Sequence, residues 1–200
     1  MKNIAIFASG SGSNAQNIIE HFNRGNIAAV RLIICNNHKA YVLTRAALLG
    51  IPAVLMNKEQ LTSEDPVTLL NLLKENCIDY IILAGYLQKI PAALTAAYVG
   101  RIINIHPALL PKFGGKGMYG MHVHRAVAAA KETCSGITIH LVDAIYDNGR
   151  ILFQARCPIS PDDTPETIAT KVQALEQQHF PAVIEQYIKD SSRQAGQMAF

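Results

Sequence analysis

The stretch Ile4-Ala5-Ile6-Phe7-Ala8, running straight into Ser9-Gly10-Ser11-Gly12-Ser13-Asn14-Ala15, decides how this chain folds. Five apolar residues in a row are far too few to span a bilayer and read as a strand. The glycine-serine turn then opens a helix over 14–24, where free backbone amides and the helix dipole favour an anion. A phosphate is the expected guest, with Gly10 and Gly12 letting the backbone approach it and Ser13 and Asn14 adding side-chain donors. A tight strand-to-helix turn capped by Ser13 or Asn14 explains the same letters, and the stretch alone leaves both open.

Outward from this unit, short β-rich runs alternate with helical patterns. Strands are expected near 3–8, 30–35, 52–56, 78–84 and 101–105, with helices near 14–24, 39–49, 65–76 and 91–98. That rhythm means βαβ crossovers and a parallel sheet. Leu32-Ile33-Ile34 and the run from Ile78 to Leu83 are apolar without strict alternation, as strands covered on both faces should be. After Pro111 the segment Lys112 to Gly120 is glycine-rich and aperiodic, which predicts a flexible loop. A short alanine-rich helix over 122–131 follows, then two β segments, 135–142 and 151–158, joined through Asn148-Gly149, a turn signal for an antiparallel pair. A helix over 165–189 opens at Thr164-Pro165, and the tail Ser191 to Phe200 is expected to fray. The fold class is thus α/β: a Rossmann-like, mostly parallel open sheet with helices on both faces and an antiparallel C-terminal extension, in one domain over 1–190.

Composition narrows the function. Half of the 200 residues are apolar, only 16% are charged and the net charge is +3, with no lysine or arginine block; no nucleic acid is expected as a partner. Cys35, Cys77, Cys134 and Cys157 are widely spaced, with no Cys-x-x-Cys pair. With no leader ahead of the first strand, a reduced, cytoplasmic and membrane-free protein is expected.

Chemistry concentrates where the run Ile102-Ile103 ends in Asn104-Ile105-His106-Pro107. Asn104 and His106 sit two apart, so in an extended segment both side chains face one way. Asp147, on the connection between the two later strands, could reach the same sheet rim. Paired with it, the imidazole would be favoured in its protonated form, as a donor to a developing oxyanion, with Asn104 as the neutral donor. Asp143 competes for the acid role, and a capped strand with a core histidine is the plain alternative. His140 lies in a β segment and could turn toward the same pocket. His122 and His124 resemble a metal pair but lack a third ligand at fixed spacing, so no metal is expected. Gly10, Gly12 and Ala15 also satisfy G-x-G-x-x-A, yet the second strand ends in Cys35-Asn36-Asn37-His38 without the acid that a dinucleotide ribose needs. A phosphate monoester therefore ranks above a dinucleotide.

Five segments in order resemble the phosphoribosylglycinamide formyltransferases: Ser9 to Asn14, Leu83 to Tyr86, Asn104 to Lys112, Gly136 to His140 with Asp147 beyond, and Val172 to Glu176. The likeness runs from Ile4 to about Pro181. It implies transfer of a formyl group from 10-formyltetrahydrofolate to the amine of glycinamide ribonucleotide, without metal. By position it implies Asn104, His106 and Asp147 as catalytic residues, supported by His140. It further implies Gly12, Ser13, Asn14, Pro107, Gln173 and Glu176 on the ribonucleotide, and Tyr86, Leu87, Gln88, Ile90, Asn104, Asp143, Ala144, Ile145 and Tyr146 around the folate.

Some features depart from the pattern. The loop Gly114 to Gly120 is longer than in many relatives, Asn148 replaces a small residue, and Gln88 stands where arginine is frequent. No arginine lies between Arg45 and Arg101, which leaves Lys112 or Lys116 as the candidate phosphate cation. Methionyl-tRNA formyltransferases and formyltetrahydrofolate deformylases share the Asn-x-His and aspartate pattern but carry a further domain, which is not expected here. A non-catalytic nucleotide-binding protein would not need the three catalytic groups together. The chain is expected to act as a monomer or homodimer.

Overall fold

The computed structural model describes residues 1–197. Seven strands form one sheet in the order β3-β2-β1-β4-β5-β6-β7. They are β1 (Lys2–Ala8), β2 (Ala28–Cys35), β3 (Ala53–Leu55), β4 (Tyr80–Leu83), β5 (Ile102–His106), β6 (Cys134–Leu141) and β7 (Ile151–Pro158). The pairings among β1 to β5 are all parallel; β5 with β6 and β6 with β7 are antiparallel. The expected Rossmann-like sheet with its antiparallel extension is therefore the one found.

Strand β1 lies between β2 and β4 and shows why its run does not alternate. Ile4, Ile6 and Ala8 point into one core, Ala5 and Phe7 into a second on the opposite face, and all five are fully buried. The first core is covered by α1 (Ser13–Phe22), α2 (Val42–Leu48), α6 (Met121–Ala129) and α7 (Pro165–Gln197), the second by α3 (Lys58–Thr62), α4 (Val67–Glu75) and α5 (Ala92–Ala97). Helix α1 docks through Ala15, Ile18, Ile19 and Phe22, the stripe that a period of 3.6 produces.

Two elements differ from expectation. Helix α3 was not foreseen; Asn57 and Gln60 build a reciprocal capping box at its start. The tail does not fray at Ser191, because α7 runs on to Gln197. Ile184 and Ile188 are buried, and Ser192 Oγ donates to the Ile188 carbonyl at 2.8 Å, so extending a helix already formed costs little. Residues 198–200 of that expected tail lie outside the described residues. Among the described residues no helix is long and apolar enough to cross a membrane.

Chain direction across the sheet reverses between β1 and β4, and in open α/β sheets the crevice at such a switch point, beyond the strand carboxyl ends, holds the ligand. Here Ser9 after β1 and Gly85 after β4 meet there, with the Ser9 amide donating to the Gly85 carbonyl at 3.1 Å.

Candidate active site

Two cavities open at this rim and share Gly85. The smaller, about 240 Å³, is lined by Gly10 to Asn14, His124, Gln173 and Glu176. Gly12 enters α1 with a left-handed φ of 76°, and no side chain caps the first-turn amides. A Cβ at Gly12 would sit 2.5 Å from Val42 Cγ2, so glycine is required by space as well as by φ. Asn14 is not a cap. Its Nδ2 donates to Glu176 Oε2 at 2.8 Å, while its Oδ1 accepts from Gln177 at 2.7 Å. Gln173 reaches Ser13 Oγ at 3.3 Å. Burial raises the Glu176 carboxyl above its ordinary value, against the Asn14 hydrogen bond that lowers it.

The larger cavity, about 390 Å³, lies beyond β4 and β5. Asn104 and His106 project from β5 on one face. The antiparallel register sets His140 opposite Asn104, and Thr138 opposite His106. Thr138 anchors the turn after β5: its hydroxyl donates to the Ala108 carbonyl at 2.7 Å and accepts from the Leu110 amide at 3.0 Å. Asn104 Nδ2 lies 3.0 Å from His140 Nε2, and His140 Nδ1 lies 2.8 Å from the Leu141 carbonyl. An Nδ1–H tautomer of His140 satisfies both contacts.

Asp147 faces both imidazoles, with Oδ2 3.6 Å from His106 Nδ1 and Oδ1 3.6 Å from His140 Nε2. Its backbone takes a left-handed φ of 53° at the connection between β6 and β7, and the Gly115 amide donates to Oδ2 at 2.8 Å. Its carboxyl lies below its ordinary value: burial pushes it up, but the His140 and His106 rings and the Gly115 amide outweigh burial. Asp143 is occupied in its own loop, accepting from the Ile145 amide at 2.8 Å.

His106 departs from expectation. Burial is the largest influence and outweighs the neighbouring Asp147, so the imidazole lies below its ordinary value and is neutral at neutral pH. Only 3% of the residue is exposed, which explains the size of the desolvation effect. Its Nε2–H donates to the Phe113 carbonyl at 2.8 Å, leaving the lone pair on Nδ1 toward Asp147.

The family model for formyl transferase matches residues 2–184. This chain belongs to the formyl transferase family. A phosphoribosylglycinamide formyltransferase of Haemophilus influenzae is 35% identical over 205 residues, which cover all of this chain and 93% of that protein. The chloroplastic enzyme of that name from Vigna unguiculata is 41% identical over 187 residues, 92% of this chain, which spans only 60% of the plant protein's length. The crystal structure of the Bacillus halodurans phosphoribosylglycinamide formyltransferase superposes with a TM-score of 0.86 at 37% identity, covering 95% of this chain and 97% of that one.

Within this formyl transferase fold, the residues singled out from sequence fall as follows. Asn104, His106, His140 and Asp147 all line the larger cavity, as do Tyr86, Leu87, Gln88, Ile90, Asp143, Ala144, Ile145 and Tyr146. Gly12, Ser13, Asn14, Gln173 and Glu176 line the smaller one. Pro107 lines neither cavity, because the residue after His106 on an extended chain turns to the other face. The candidate phosphate cations are also elsewhere: Lys112 pairs with Glu132 at 2.7 Å, and Lys116 lines the larger cavity. Two participants escaped the sequence reading. The Phe113 carbonyl and Gly115 amide belong to the supposedly flexible loop and act through backbone atoms, which no residue type advertises. His124, weighed in the sequence only as one of a metal-like pair with His122, lines the smaller cavity.

Proposed function

We propose that this chain transfers the formyl group of 10-formyltetrahydrofolate to the primary amine of glycinamide ribonucleotide. The observation that carries the reading is the pair of cavities joined at Gly85, one holding Asn104, His106 and Asp147 and the other the uncapped amides of α1. A monophosphate suits the second, since α1 directs its free amides and positive dipole end there. Glu176 and Gln173, which line the same cavity, take the ribose hydroxyls in this reading. The larger cavity suits a folate: Ile90 and Val142 offer apolar wall, the segments Gly85 to Lys89 and Asp143 to Asp147 line it, and the Tyr86 hydroxyl is buried without a partner among the described residues. When bound, the folate supplies the formyl carbon.

Asn104 has two amide hydrogens and gives one to His140, so the second remains for the oxyanion that forms as the amine attacks the formyl carbon. Such a donor stabilises the transition state by roughly 2.7 to 4 kcal/mol. His106 begins neutral and takes the proton that the amine loses. At that moment Nδ1–H faces Asp147 and Nε2–H faces the Phe113 carbonyl, and both contacts favour the imidazolium. The charged ring adds its field to Asn104's donor, then returns the proton to the folate nitrogen as the carbon–nitrogen bond breaks. Asp147, anionic in the resting site, makes the charged ring tolerable where burial alone would forbid it.

The test is an assay containing glycinamide ribonucleotide and 10-formyltetrahydrofolate, with each omitted in turn. Formylated ribonucleotide and tetrahydrofolate should appear in equal amounts, and only with both substrates present. Release of formate with no ribonucleotide added would instead indicate a hydrolase.

A further inference from the structure

His124 is the least explained group in the site. It stands on α6, is 6% exposed, and lines the smaller cavity opposite the Gly12 turn. Its Nδ1 is buried with no hydrogen-bond partner among the described residues. A buried polar atom left unpaired costs stability, and here it belongs to a residue of the cavity wall.

Positive charge is scarce in that cavity. Among the described residues no lysine or arginine lines it, while Glu176 contributes a carboxyl. Arg45, on α2 behind the turn, is held by the Ser11 carbonyl at 2.9 Å and by the Gln16 side chain. Lys112 is paired with Glu132. A phosphate monoester brings nearly two negative charges, and the α1 amides offer only partial positive charge. Among the lining residues His124 alone can acquire a full one.

We propose that His124 is the cation of the phosphate subsite, taking up a proton as the monoester enters and holding it as a charge-assisted hydrogen bond. The proposal rests on assigning this cavity to the ribonucleotide. Burial, with a smaller contribution from His106, holds the free imidazole below its ordinary value, so the ring is neutral before the anion arrives. The titratable groups around it are His106 from β5 and Glu176 from α7. On α6 itself, His122 packs edge-on against Tyr119, and Arg125 sends its field toward Glu166 on α7. Since the proton comes with the ligand, affinity is greatest on the acid side and declines as pH rises through the value that the ring has in the complex.

Ribose 5-phosphate serves as the probe, because it reports this cavity without formyl transfer. Calorimetric titration at about pH 7.5, where the monoester is a dianion (second pKa about 6), should show net proton uptake when buffers of different ionisation enthalpy are compared. His124→Asn should abolish the uptake, weaken binding by about tenfold or more, and flatten the decline in affinity with rising pH. His124→Gln, nearer in size, should do the same with an unchanged thermal midpoint, while Glu176→Gln should keep the uptake. Equal affinity and equal uptake in both His124 variants would overturn the proposal and leave the phosphate assignment standing. Failure of the wild-type protein to bind ribose 5-phosphate would overturn the assignment and the proposal together.

Discussion

At the residue scale, the site depends on an imidazole whose surroundings disagree about its charge. Burial drives His106 toward neutrality and Asp147 drives it toward the cation, with burial the larger of the two. Removing the carboxylate charge leaves burial unopposed, so Asp147→Asn should move the acidic limb of the kcat/KM profile to lower pH. Turnover should also fall, on the order of 10²-fold, because the imidazolium formed during transfer loses its stabilising neighbour. A pH–rate profile of the variant checks both; a limb that stays in place would separate Asp147 from His106 in function. Asn104 and His106 were legible in sequence because an amide and an imidazole two apart at a strand end face one way by the strand period. The resting protonation of His106 was not legible, since it follows from 3% exposure, which outweighs Asp147, its neighbour in space.

At the scale of elements, the turn between β1 and α1 carries a constraint that side-chain chemistry alone does not express. Gly12 combines a left-handed φ of 76° with a backbone pressed against Val42. Gly12→Ala should therefore displace α2 or the turn itself and raise the KM for ribonucleotide by about tenfold or more, the KM for folate changing much less. Steady-state kinetics with each substrate varied in turn decides this, and equal effects on both would indicate general unfolding. The β–α rhythm of the first half was readable because each strand is a short apolar run bounded by turn residues. Helix α3 was equally readable in principle, for Asn57 and Gln60 spell its capping box. The segment Lys112 to Gly120 was not readable: its consequential contacts join backbone atoms to side chains distant in sequence, such as Gly115 to Asp147.

For the whole molecule, packing two cores against one sheet places several titratable groups where water is scarce. His106 and His124 are held neutral when folded, whereas the unfolded chain protonates histidine at its ordinary value of 6.5. Below that value the unfolded state binds more protons, so stability should decline as pH falls through about 6.5. The lowered Asp147 acts in a different window, its contribution being present above 3.8 and lost only as pH falls further. Thermal midpoints measured between about pH 7.5 and 5.5 should fall in the wild-type protein and fall less steeply in His124→Gln. The two cavities divide the labour, one binding the ribonucleotide and the other carrying out the transfer. Asn104→Ala, measured by single-turnover formyl transfer with ribonucleotide affinity determined on the same sample, tests that division most directly. The transfer rate should drop by about 10² to 10³-fold while ribonucleotide affinity holds within about twofold; an undiminished rate, or a loss of rate matched by an equal loss of affinity, would contradict it.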